Sequence, residues 1–95
     1  MEPIRIDHLE GHHFEAALPE GRAVLEYRMS GGRMVILHTD VPEALRGGGL
    51  GGRLVQAALD HARAHGLRVE PRCPYAAAWI GRHPEYASLV VEGPG

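Results

Sequence analysis

Residues with chemical capacity fall in three places along the chain. Gly47, Gly48, Gly49, Gly51 and Gly52, with Arg46 in front and Leu50 among them, form a glycine-rich run at the start of a helical pattern. A helix N-terminus carries N–H groups without intrahelical partners and a partial positive charge, and glycine lets anion oxygens approach that backbone closely. Such a loop suits a phosphate and needs no lysine. The chain has none: all ten of its basic residues are arginine. That absence excludes a P-loop lysine and a Schiff-base nucleophile. The second place is Cys73, the sole cysteine, between an expected strand and an expected helix. There the helix dipole lowers a thiol pKa and favours thiolate, fitting Cys73 to act as a nucleophile. Free cysteine also often merely packs in a core. The third place is the histidines. His61 and His65 lie one helical turn apart, but Ala62 stands where a zincin has glutamate and no third ligand is placed beside them, so no metal is expected. His12 and His13 read as surface or edge-strand residues, and Glu15, Glu26 and Glu43 as a solvated face with some attraction for a cationic amine.

The glycine run also matches, formally, the dinucleotide fingerprint as Gly47-x-Gly49-x-x-Gly52, with Glu70 about 20 residues on for a ribose. Its context is wrong. That fingerprint follows directly on a parallel strand, whereas Asp40 to Arg46 intervene here, and 95 residues cannot supply a two-halved Rossmann sheet.

The elements that must position these residues follow from periodicity. His12 to Leu18 alternates as a half-buried strand, Pro19-Glu20-Gly21 turns, and Arg22 to Met29 alternates again up to Ser30-Gly31-Gly32. Met34 to Leu37 is apolar throughout, so Arg33 to Thr39 reads as a central strand covered on both faces. These three strands form an antiparallel meander. After the glycine loop, Leu50, Leu54, Ala58 and Ala62, with Val55 and Leu59, make one apolar stripe opposite Arg53, Gln56, Asp60 and Arg63. Gly66 is a natural stop for this helix. Leu67 to Glu70 reads as a short strand parallel to the central one, since a helix joins them by a crossover, and Tyr75 to Arg82 as a further helix with Pro74 in its first turn. Trp79, Ile80 and Tyr86 suit the rim of the core, and the tail from Glu92 is expected to fray.

The fold class is therefore α/β (α+β), one domain over 1–95 with its core at about 12–90. At 44% hydrophobic and 23% charged the composition is that of a globular chain. A formal charge of -2 offers no footprint for nucleic acid, and no apolar run approaches a membrane span. With one cysteine and no leader pattern at the start, the chain reads as cytoplasmic.

Arg46-Gly47-Gly48-Gly49-Leu50-Gly51 resembles the Gln/Arg-x-x-Gly-x-Gly/Ala motif of the GNAT acetyltransferases, and it stands where that superfamily has it, after a meander and central strand and at the head of a long helix. Arg72-Cys73-Pro74-Tyr75, Trp79-Ile80 and His83-Pro84-Glu85-Tyr86 resemble segments of the short single-domain N-acetyltransferase-like subgroup, which lacks the helical pair after the first strand. The likeness runs from about Phe14 to Leu89. It implies a minimal GNAT fold and transfer of an acetyl group from acetyl-coenzyme A to a small-molecule or protein amine, with residues 46–52 on the pyrophosphate. It also implies that the backbone near Leu37 and His38 polarises the thioester carbonyl, and that Tyr75 protonates the departing thiolate. His38 is the candidate base, though a strand histidine is as readily a satisfied structural residue. The other reading is a coenzyme A or acyl-coenzyme A binding module, a sensor or a carrier through Cys73. Either a monomer or a homodimer is compatible with so small a sheet.

Overall fold

The computed structural model describes residues 4–91, so the expected fraying from Glu92 lies outside the described residues. Its sheet has five strands, β1 (Asp7–Leu9), β2 (His13–Leu18), β3 (Gly21–Ser30), β4 (Arg33–Asp40) and β5 (Arg68–Pro71), hydrogen-bonded in that order. The first four are antiparallel, and β5 runs parallel to β4. Helix α1 (Leu50–Ala64) makes the crossover between β4 and β5, and α2 (Pro74–Gly81) follows β5. Short 3-10 turns lie at Glu43–Leu45 and Pro84–Leu89.

Local chemistry explains the joints. The β3–β4 hairpin turns on Gly31 and Gly32 at φ 54° and 80°, a pair of left-handed residues whose twist matches that of the flanking strands. Helix α1 ends on Gly66 at φ 67°, with the Leu67 N–H on the Ala62 carbonyl at 2.8 Å and the Gly66 N–H on that of Arg63 at 3.4 Å. This is the Schellman arrangement, which satisfies carbonyls the last turn would otherwise leave open.

One apolar face of the sheet, Phe14, Ala16, Ala23, Leu25, Tyr27, Met34, Ile36 and Val69, packs on the expected stripe of α1 and on Ala76, Trp79 and Ile80 of α2. Both helices share this core. The alternate residues Glu15, Arg22, Glu26 and Arg28 point away from it. On that outer face Val35 is buried between its cross-strand neighbours Arg28 and Glu70, while Leu37 is 42% exposed. The expectation that β4 is covered on both faces is thus corrected: helices cover one face only. Strand β1 was not foreseen, because three residues are too few to show an alternation.

The pairing of β4 with β3 contains an extra residue. Tyr27 faces Ile36 and Glu26 faces His38, so Leu37 is bulged between them. A bulge bends its strand, sharpens its twist and shifts the phase of the side chains beyond it. Ile36 points into the core, Leu37 and His38 are both exposed, and Thr39, opposite the buried Leu25, turns inward again.

Candidate functional site

Strand β4 parts from β5 at the bulge. Their ladder stops at Ile36 and Pro71, and the Ile36 carbonyl takes two N–H groups from the end of β5, Arg72 at 2.9 Å and Cys73 at 3.1 Å. Beyond that point β5 gives way to α2 while β4 continues, and a cleft of about 410 Å³ opens beside the end of β4. Its walls are His38, Thr39, Asp40 and Val41 from the bent end of β4, and Leu45, Arg46, Gly47, Gly49, Leu50, Gly51 and Tyr75.

The first turn of α1 faces this cleft without a side-chain cap and without an acidic residue. Gly49 is the N-cap at φ 78°, a conformation that L side chains avoid, and Gly47 is likewise left-handed at φ 90°. No atom crowds either position, so these two glycines serve the path of the loop. Arg46 is exposed, and its Nε donates to the Val41 carbonyl at 3.0 Å, tying the loop to the end of β4. Bare N–H groups, a helix dipole and an arginine therefore converge where an anion would sit.

A family model described as GCN5-related N-acetyl-transferase matches residues 13–89. The chain belongs to the GCN5-related N-acetyltransferase family. It is 37% identical over 86 residues to Protein NATD1 of Mus musculus, covering 86% of this chain and 78% of that protein. Protein NATD1 of Homo sapiens is also 37% identical over 86 residues, covering 86% and 76%. The solution structure of a GCN5-like candidate N-acetyltransferase from Staphylococcus aureus matches with a TM-score of 0.77 and 25% identity, over 99% of this chain and 94% of that one. The GCN5-related fold is thus shared across the whole sheet and both helices. Acetyl-coenzyme A is the general co-substrate of the family.

Most of the candidate residues of this GCN5-related chain meet at the cleft, but not all. His38, Arg46, Gly47, Gly49, Leu50, Gly51 and Tyr75 line it. Leu37 stands exposed at the bulge, and Gly48 is exposed on the loop outside the wall. Gly52 is buried and does not line the cleft, and a Cβ there would come within 2.6 Å of the Trp79 Nε1, so the missing side chain makes room for the indole. Gly51 has a related duty, since a Cβ on it would fall 2.7 Å from the Tyr75 hydroxyl. Tyr75 is 44% exposed and rests its phenol on the first turn of α1.

Cys73 is the N-cap of α2 and is buried. Its Sγ lies 3.6 Å from the Thr39 Oγ1. Burial opposes ionisation, yet the N–H of Ala76, the Thr39 hydroxyl and the N–H groups of Tyr75 and Thr39 outweigh it, leaving the thiol below the usual cysteine value. The cleft wall reaches Thr39 and not Cys73.

Elsewhere the chemistry-bearing residues have structural partners. Glu70 binds Arg72 and Arg33 outside the cleft wall, where it has no ribose to meet; the Arg72 hydrogen bond, against slight burial and helped by Arg33, holds its carboxyl below the usual range. His13 bonds Glu15 at 2.7 Å. The rings of His61 and His65 stack at 4.1 Å, and His65 Nδ1 bonds the His61 carbonyl. Among the described residues no group of three or more histidine, cysteine or acidic side chains is arranged to hold a metal. Among the same residues no helix is long and apolar enough to cross a membrane. Trp79 stacks on His83 at 3.6 Å, and Tyr86 donates to Asp60 at 2.7 Å, so this motif locks α2 and the last 3-10 turn to α1. Sequence reasoning missed Thr39, Asp40, Val41 and Leu45 as cleft residues, since their place on the wall depends on how the end of β4 and the turn after it meet α1.

Proposed function

We propose that the chain is an acetyl-coenzyme A-dependent N-acetyltransferase that acts on an amine. The observation that carries this is the uncapped first turn of α1 opening, beside Arg46, into a cleft formed where β4 leaves β5. Within it the N–H groups of the turn and the Arg46 guanidinium take the pyrophosphate, and the apolar side chains of Val41, Leu45 and Leu50 flank the pantetheine arm. The backbone at Leu37 and His38 polarises the thioester carbonyl, and His38 on the wall is the base for the attacking amine. A bond forms from the amine nitrogen to the acetyl carbon, the carbon–sulfur bond breaks, the amine proton passes to His38, and Tyr75 protonates the leaving thiolate. Holding both reactants in this one cleft supplies much of the rate.

Calorimetric titration with acetyl-coenzyme A, followed by thiol release in the presence of a panel of primary amines, tests the reading. Saturable binding with amine-dependent release supports it. Binding without release would instead make the chain a coenzyme A module, and no binding at millimolar ligand would refute both. Intact mass on the same sample reads the role of Cys73: a stable acetyl adduct marks a two-step route, and its absence direct transfer.

A further inference from the structure

Thr39, a polar residue that no motif in the chain marks out, both touches the buried thiol of Cys73 and lines the open cleft. The bulge at Leu37 turns Thr39 inward, opposite the buried Leu25, when an unbroken alternation from Ile36 would have turned it outward. There its hydroxyl meets the Cys73 Sγ at 3.6 Å, across the gap where β4 and β5 have separated. The same residue lines the cleft, while Cys73 does not. We propose that Thr39 is a positioning residue: its hydroxyl holds the Cys73 thiol at the base of the cleft and is that thiol's polar connection to it.

A hydroxyl suits this task because it both donates and accepts. With the thiol neutral, S–H donates to Oγ1; with the thiol ionised, the hydroxyl rotates and donates to the sulfur. A proton leaving Sγ is taken up at Oγ1 as the hydroxyl releases its own into the cleft, so none is stranded inside. The N–H groups of Ala76, Tyr75 and Thr39 also favour the ionised thiol. Other titratable or charged groups on the adjoining segments are His38 and Asp40 beside Thr39, Arg72 beside Cys73 and paired to Glu70, and Tyr75 on α2. Only Thr39 bridges β4 to the thiol with a side-chain hydrogen bond.

The significance of this contact for turnover rests on the acetyltransfer reading; the contact itself does not, and its test needs no coenzyme. Cys73 is the sole cysteine, so alkylation by iodoacetamide read by intact mass reports on it alone. Its rate against pH gives the thiol midpoint. Thr39→Val is expected to raise that midpoint by about one unit, the size of one hydrogen bond to a charged group, and Thr39→Ser to restore it. A wild-type midpoint in Thr39→Val, or a midpoint in Thr39→Ser matching that of Thr39→Val, overturns the proposal. Should Thr39→Val fail to fold by circular dichroism, Thr39→Ala takes its place under the same criteria. A chain that binds no acetyl-coenzyme A yet shows the Thr39-dependent midpoint refutes the proposed function and leaves this inference standing.

Discussion

Gly51 and Gly52, adjacent in the first turn of α1, should answer very differently to the same substitution. In Gly51→Ala the new methyl lies 2.7, 2.9 and 3.0 Å from the Oη, Cζ and Cε2 of Tyr75. Restoring ordinary contact requires the phenol to retreat by about 0.7 Å. Tyr75 is 44% exposed, so the ring can swing toward solvent at small cost. Replacing glycine by alanine inside a helix returns about 0.5–1 kcal/mol, which leaves stability unchanged or slightly raised. Catalysis should not escape, because a donor displaced by about 1 Å costs up to about 100-fold in rate. In Gly52→Ala the methyl instead meets Trp79 at 2.6 Å from Nε1 and 3.2 Å from Cδ1. That ring is buried and stacked on His83, with no open direction to move. Overpacking of this kind costs about 1–3 kcal/mol, only partly offset by helix propensity, and each kcal/mol is about 4–8 °C in Tm for a domain of this size. Calorimetric melting paired with acetyl transfer rates reads both variants. Gly51→Ala should keep its Tm and lose about 10- to 100-fold in rate, while Gly52→Ala should lose several degrees. Wild-type turnover in Gly51→Ala would refute the role of the Tyr75 position, and an equal fall in Tm would show Tyr75 to be structural.

Arg46→Ala should weaken acetyl-coenzyme A by about 10-fold in a binding titration while leaving Tm nearly unchanged, since the side chain is exposed and its lost bond joins two loops. Tyr86→Phe removes the bond to Asp60 and should cost about 1 kcal/mol in denaturant unfolding without affecting coenzyme binding. A further prediction concerns acid. Burial first, then His61 for His8 and His65 for His61, lowers both pKa values below 6.5, with Glu10 pulling the other way. The unfolded chain therefore binds protons before the folded one does, so stability should fall as pH drops from 6.5 through the lower folded values and be indifferent to these groups above 6.5. His61→Gln should flatten the fall in Tm between pH 7.5 and 5.5; an unaltered slope would contradict the assignment.

Where the chain is periodic, the sequence was legible. The alternation of β2 and β3, the apolar stripe of α1 and the Gly66 stop all appear in the structure, as does the helix after Pro74. The bulge was not legible because Met34 to Leu37 is apolar without a break, and an unbroken apolar run carries no phase for an extra residue to disturb. Thr39 was lost with it, since its inward turn is a consequence of the bulge. Gly51 and Gly52 show a different limit. Their type announces a need for space, but whether a phosphate or an aromatic ring fills that space depends on how α2 docks, which no local pattern records.

The bulge also means that a shorter β4 would be a more regular one. Removing Leu37 outright would leave Ile36 opposite Tyr27 and His38 opposite Glu26, so both neighbours would keep their faces and the ladder to β3 would run unbroken. What would vanish is the bend, and a straight β4 has no reason to leave β5 after Ile36. The product would be a folded twin of this protein, one residue shorter, with its imidazole, thiol, phenol and arginine all present and no mouth between the strands. Leu37 is thus dispensable as a side chain and indispensable as a unit of length.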